Sequence, residues 1–118
     1  MSANRYDVLL YEKPNGACPV QEFLDSLDNK MAAKMYGMIE FLEENSPALR
    51  MPYSEHFQDG IFELRAKVSN NITRVLYFFY VDKKIILPNG FVKKTQKTPK
   101  NELRTAIKYR QEFWERDE

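Results

Sequence analysis

The sequence predicts an α+β domain: an N-terminal strand, two helices, a three-strand antiparallel meander and a closing helix. Three observations carry that prediction. Between Pro19 and Asn45 the apolar residues recur at helical spacing, with Val20, Phe23, Leu24 and Leu27 followed by Met31, Met35, Met38, Ile39 and Leu42. Between Ile61 and Val92 the chain is rich in β-branched and aromatic residues, broken only by turn-forming triplets. At Thr98-Pro99 a capping hydroxyl precedes a proline, the usual opening of a helix.

The elements follow in order. Arg5 to Tyr11 holds Val8, Leu9 and Leu10 and reads as a strand that joins the sheet of the meander; Pro14-Asn15-Gly16 then turns the chain. The first helix runs from Pro19 to Leu27. Asp28-Asn29 breaks or caps it, and a second helix covers Lys30 to Asn45, its methionines filling the core. Ser46-Pro47 ends that helix, and Leu49 to Gln58 reads as an irregular connection. After the tight turn Asp59-Gly60 come the strands Ile61–Val68 and Ile72–Val81, a hairpin about Ser69-Asn70-Asn71. Asp82-Lys83-Lys84 turns into the strand Ile85 to Val92. Val75-Leu76-Tyr77-Phe78-Phe79 is apolar on both faces, so both faces of the sheet are expected to be covered. The last helix runs from Pro99 to about Glu115.

A length of 118 residues fits one domain, 1–118, with a core of its own. With 43% hydrophobic and 14% aromatic residues the chain is not a disordered one. The single cysteine, Cys18, cannot close an internal disulfide, which suggests a reducing compartment. No apolar run reaches the length of a membrane span, and Met1 to Asp7 is polar, so the expected location is cytoplasmic with no membrane partner. Charge is unevenly spread: residues 1–60 hold five basic against ten acidic side chains, and residues 61–118 hold thirteen against seven. Such asymmetry fits an anionic partner approached from one side.

The densest cationic stretch is the crossing from the last strand to the last helix, with Lys93, Lys94, Lys97 and Lys100. Amines beside a helix N-terminus suit a phosphate backbone, although a solvated lysine-rich loop would have the same composition. In the hairpin, a two-residue loop at Asn70-Asn71 would set Lys67 opposite Arg74 and Arg65 opposite Leu76. Arg65, Lys67 and Arg74 then share one face, where a bound phosphate or an ion pair with Glu63 would offset their repulsion. Tyr53, Phe62, Tyr77, Tyr80 and Phe91 supply aromatic neighbours of the kind that stack RNA bases, though Phe62 and Phe91 read better as core. One histidine, His56, no ligand-spaced carboxylates, no nucleophile motif and no Gly-rich loop leave metal, serine-hydrolase and nucleotide-loop chemistry without a basis, so neither a metal nor a cofactor is expected.

Asp59-Gly60-Ile61-Phe62-Glu63-Leu64-Arg65, Thr73-Arg74-Val75-Leu76-Tyr77-Phe78 and Gly90-Phe91-Val92-Lys93-Lys94-Thr95-Gln96-Lys97-Thr98-Pro99 together resemble the phage-derived HigB-like toxins of the RelE/ParE superfamily. Pro19 to Leu27 and Leu49-Arg50-Met51-Pro52 extend the resemblance over nearly the whole chain. It implies a RelE-like single domain with a small antiparallel sheet, the toxin of a type II toxin–antitoxin pair. Its partners would be a helix-turn-helix antitoxin, the ribosome and mRNA, with operator DNA reached only through the antitoxin complex.

The implied activity is ribosome-dependent, metal-independent mRNA cleavage, in which a ribose 2′-OH attacks the adjacent phosphate. On this reading Arg65 and Arg74 stabilise phosphate charge, while Lys93, Lys94 and Lys97 bind RNA and Lys94 or Lys97 takes part in proton transfer. Lys67, Lys100, Tyr53, His56 and Tyr80 are further RNA contacts. Superfamily members that use histidine or a C-terminal tyrosine differ from this chain, which has no histidine near its C-terminus, so the acid and base stay unassigned. Two other classes remain open: a gyrase-directed ParE-like toxin, and a regulator that binds RNA or the ribosome without cutting.

Overall fold

The computed structural model describes residues 5–46, 59–92 and 99–116 in full, and the backbone of 54–56 and 117. Among these are six strands and three helices: β1 (Asp7–Leu10), α1 (Pro19–Asp25), α2 (Asn29–Asn45), β2 (Ser54–His56), β3 (Phe62–Val68), β4 (Asn71–Tyr80), β5 (Lys84–Leu87), β6 (Gly90–Val92) and α3 (Lys100–Asp117). The sheet runs β1-β5-β4-β3-β2, with β6 also paired to β4. The α+β class and both helical stripes hold, with Met31, Met35, Met38 and Leu42 buried along α2. That helix starts on Asp28, whose carboxylate accepts from the Met31 amide at 2.8 Å.

Helices cover both faces of the sheet. On one side α1 and α2 pack on Leu64, Ala66, Val75, Tyr77, Ile85 and Leu87. On the other, α3 packs on Leu76, Phe78, Ile86 and Phe91, with Ala106 fully buried against them. Gly90 admits α1 to the sheet, since a Cβ there would stand 2.6 Å from the Phe23 ring.

Four expectations need correction. The sheet is mixed rather than antiparallel, because β1 runs parallel to β5, with Asp7 paired to Lys84 and Leu10 to Leu87. A strand's direction depends on the path of the helices between, and nothing in β1 itself encodes it. The connection 49–58 contains β2, which pairs antiparallel with β3 at the sheet edge. The hairpin closes one step earlier than expected, on Ser69-Asn70, with Val68 opposite Asn71 and Ser69 at φ +56°. Both dipeptides are turn formers, and the tertiary packing of β3 and β4 selects between them. The strand 85–92 is split by a bulge: Ile86 pairs with Phe78 and Gly90 with Val75, so three residues face two across the gap.

The C-terminal half of α3 is fastened to the residues just after β1 and to the end of β4. The Tyr109 ring stacks on Tyr11 with centroids 4.8 Å apart, and Phe113 meets Tyr80 edge-on at 4.9 Å. Tyr11 donates to Glu112 Oε2 at 2.5 Å, and Arg116 donates to the Glu12 carbonyl at 2.5 Å. Burial first, then the Glu112 carboxylate, push the Tyr11 hydroxyl up to about 12. Arg110 reaches the Asp59 carbonyl in the turn ahead of β3.

Candidate functional site

The candidate site lies on the α3 side of the sheet, on β3 and β4. The observed register sets Arg65 directly opposite Arg74, with Glu63 opposite Leu76 and Lys67 opposite Ile72. Residues two apart on a strand share a face, so Glu63, Arg65 and Lys67 line up with Arg74. Two guanidinium groups in direct cross-strand register repel. The Glu63 carboxylate offsets this: it is fully buried, pairs with Arg74, and accepts from Arg65 Nε at 3.1 Å. Glu63 was anticipated as an ion-pair partner, and it serves both arginines at once.

The two arginines are unequal. Arg74 is 4% exposed. The Arg65 side chain is 18% exposed, so of the two it is the one partly open to solvent. Buried charge of this kind survives only with close compensation, which the Glu63 carboxylate supplies to both arginines. Lys67 continues the row as an exposed amine. Arg74 stands in an apolar strand, where sequence pattern alone would place its charge in water.

Across β4 from Arg65, Arg74 pairs with Phe91 of β6. At the bulge, the Asn89 carbonyl accepts from the Leu76 amide at 2.9 Å, and its side-chain amide donates to the Glu102 carbonyl at 3.1 Å. Asn89 therefore joins the first turn of α3 to the strand next to the arginine row. Sequence reading passed over it; the Pro88-Asn89-Gly90 triplet inside a strand was the available signal. Burial holds the Glu102 carboxyl above its ordinary range.

The other expected site residues fall in several places. Lys100 is exposed at the start of α3. Tyr80 sits six residues beyond Arg74 on β4, about 20 Å away by strand rise, and packs on Phe113. The structure does not bring it to the arginines. The backbone of His56 pairs with Phe62 at the sheet edge. Tyr53, Lys93, Lys94, Lys97 and the capping Thr98 lie outside the described residues. Among the described residues no group of three or more His, Cys, Asp or Glu could hold a metal ion. No helix among them is long and apolar enough to cross a membrane.

A single mixed sheet with helices on both faces and a carboxylate-anchored arginine pair on one of them is compatible with a compact RelE-like domain. The family model described as Phage derived protein Gp49-like (DUF891) matches residues 22–111, from α1 into the second half of α3. The chain belongs to that family, which is associated with RelE/HigB-like toxins. No curated protein matches the chain.

Proposed function

We propose that this chain is the toxin of a type II toxin–antitoxin pair, a HigB-like, ribosome-dependent endoribonuclease that cuts mRNA without a metal. The observation that supports it most is the Arg65–Glu63–Arg74 cluster, with one guanidinium held at the surface by a buried anion and a second arginine. A phosphate passing through a pentavalent state gains charge on its non-bridging oxygens, and a preorganised guanidinium stabilises that charge more than it stabilises the ground state.

In this reading Arg65 contacts the scissile phosphate. Arg74 acts through Glu63 as a positioning residue. Lys67, with Lys93, Lys94 and Lys97, holds the strand. The 2′-OH loses its proton to a base as its oxygen bonds to phosphorus. The bond to the 5′-oxygen breaks, and that oxygen takes a proton from an acid. The products are a cyclic phosphate and a free 5′-OH, with Lys94 or Lys97 as candidates for proton transfer. The partners are the ribosome with its mRNA and a helix-turn-helix antitoxin, in the cytoplasm.

Induced expression in a bacterial host, with primer extension on an abundant message, tests the reading. Growth arrest with new in-frame 5′ ends is expected, and Arg65→Ala should slow cleavage by about 10²- to 10³-fold, the usual loss when one preorganised donor to a developing anion is removed. Arrest without cleavage would replace the nuclease by a gyrase-directed toxin or a ribosome-binding regulator.

A further inference from the structure

The outer face of α3 carries a cationic stripe that the proposed cleavage site does not use. Lys100, Arg104 and Lys108 are all exposed and follow one another at intervals of four residues. In a helix that spacing stacks them about 6 Å apart along one side. Like charges at this spacing weaken a helix, and the carboxylates of α3 do little to relieve them. Glu102 is half-buried, Glu112 accepts from Tyr11, and Glu115 accepts from Gln111. Among the described residues none of the three cations forms an ion pair. A stripe that costs stability and forms no ion pair among the described residues is explained by an external polyanion.

The rest of the molecule fixes the direction of approach. Arg65 and Lys67 share the α3 side of the sheet with the stripe, while the opposite layer, α1 and α2, is acidic. Residues 19–46 hold six carboxylates against two lysines. The field of the domain therefore presents α3 to a polyanion first. Among the described residues no exposed aromatic accompanies the stripe, since Tyr109 is stacked on Tyr11 and Trp114 lies more than a turn beyond Lys108 beneath the Arg110 guanidinium. Proteins that hold a flexible single strand pair their cations with stacking rings, whereas bare cationic rows read the phosphates of structured RNA.

We propose that Lys100, Arg104 and Lys108 form a rail for the phosphate backbone of structured ribosomal RNA, separate from the groups that hold the scissile strand. The rail rests on the ribosome-dependent reading above. Its function is to orient the α3 side of the domain toward the decoding region while Arg65 meets the message.

The test measures equilibrium binding of the Arg65→Ala protein, which should leave the message uncut, to mRNA-programmed ribosomes across a salt series. The same protein carrying Lys100→Ala, Arg104→Ala and Lys108→Ala is compared with it, and Lys30→Ala/Lys34→Ala on α2 serves as a control. Loss of three phosphate contacts should flatten the slope of log K against log salt by about 2 to 3 units and weaken binding roughly tenfold or more. The α2 control should match the parent, and affinity for a naked single-stranded oligoribonucleotide should change less than about threefold. An unchanged slope on ribosomes removes the rail and leaves the nuclease reading standing. An equal loss on the oligonucleotide assigns the stripe to the message strand and overturns the assignment to ribosomal RNA. No ribosome binding by the parent even at low salt removes the ribosome-dependent reading and the rail together.

Discussion

Glu63→Gln isolates the charge that holds the arginine pair. The carboxylate is fully buried, and the side chains of its two partners are 5% and 18% exposed. Glutamine keeps the shape and one acceptor oxygen but removes the anion that both guanidinium groups share. Stranding one partner of a buried pair costs about 3 to 5 kcal/mol. Arg65 can turn toward solvent and Arg74 cannot, which places the expected loss near the lower end, about 3 kcal/mol. With a urea m-value of about 1.5 kcal/mol/M, that is a midpoint shift of about 2 M, a large part of the stability of a domain this size. Urea unfolding followed by circular dichroism reads it directly. Adding Arg74→Met should recover most of the loss, because it removes the stranded charge and keeps an apolar stem of similar length. A Glu63→Gln protein within about 1 kcal/mol of the parent would refute the reasoning. So would a double variant no more stable than the single one.

Other substitutions probe the remaining contacts. Gly90→Ala drives a methyl group into the Phe23 ring and should cost about 1 to 3 kcal/mol; the penalty should shrink in a Phe23→Leu background, measured by thermal melts. Tyr11→Phe removes the hydroxyl that donates to Glu112 and should cost about 1 to 2 kcal/mol at neutral pH. Because the folded Tyr11 hydroxyl is pushed up from 10.0 to about 12, its contribution is complete below pH 10 and is lost as pH rises toward 12. Tyr11→Phe should flatten that part of an alkaline stability profile. Glu102→Gln should stabilise at pH 7 and lose that advantage near pH 4. The folded carboxyl holds its proton more tightly than the usual 4.5, so its ionisation at neutral pH opposes folding.

Much of the fold was legible because the helices and the hairpin each carry a strong period. The stripe from Met31 to Leu42 faces the sheet as its spacing requires. The apolar run in β4 lies between two layers, as a strand without alternation should. What escaped depends on contacts between distant segments. The parallel pairing of β1 is set by where α1 and α2 return the chain, and β2 is too short and polar to announce itself. At the site, the shared face of Arg65, Lys67 and Arg74 and the role of Glu63 could be read from alternation. The burial of Arg74 could not, because no pattern within β4 reports that β3, β6 and the Glu63 carboxylate meet at one point. Asn89 was missed for the same reason, its partners lying on β4 and α3.

The bulge at the end of β5 has a consequence for how this chain tolerates changes in length. Ile86 and Phe91 both lie under α3, although residues an odd number of positions apart belong on opposite faces of an unbroken strand. The supernumerary residue restores them to the same face. Removing one residue from Pro88-Asn89 would therefore act as an inversion rather than a shortening, aiming Phe91 at α1 and Gly90 at α3. Substitutions there change packing by degrees, while a single-codon deletion exchanges inside for outside over all that follows. The segment should take replacements at a graded cost and no change in count.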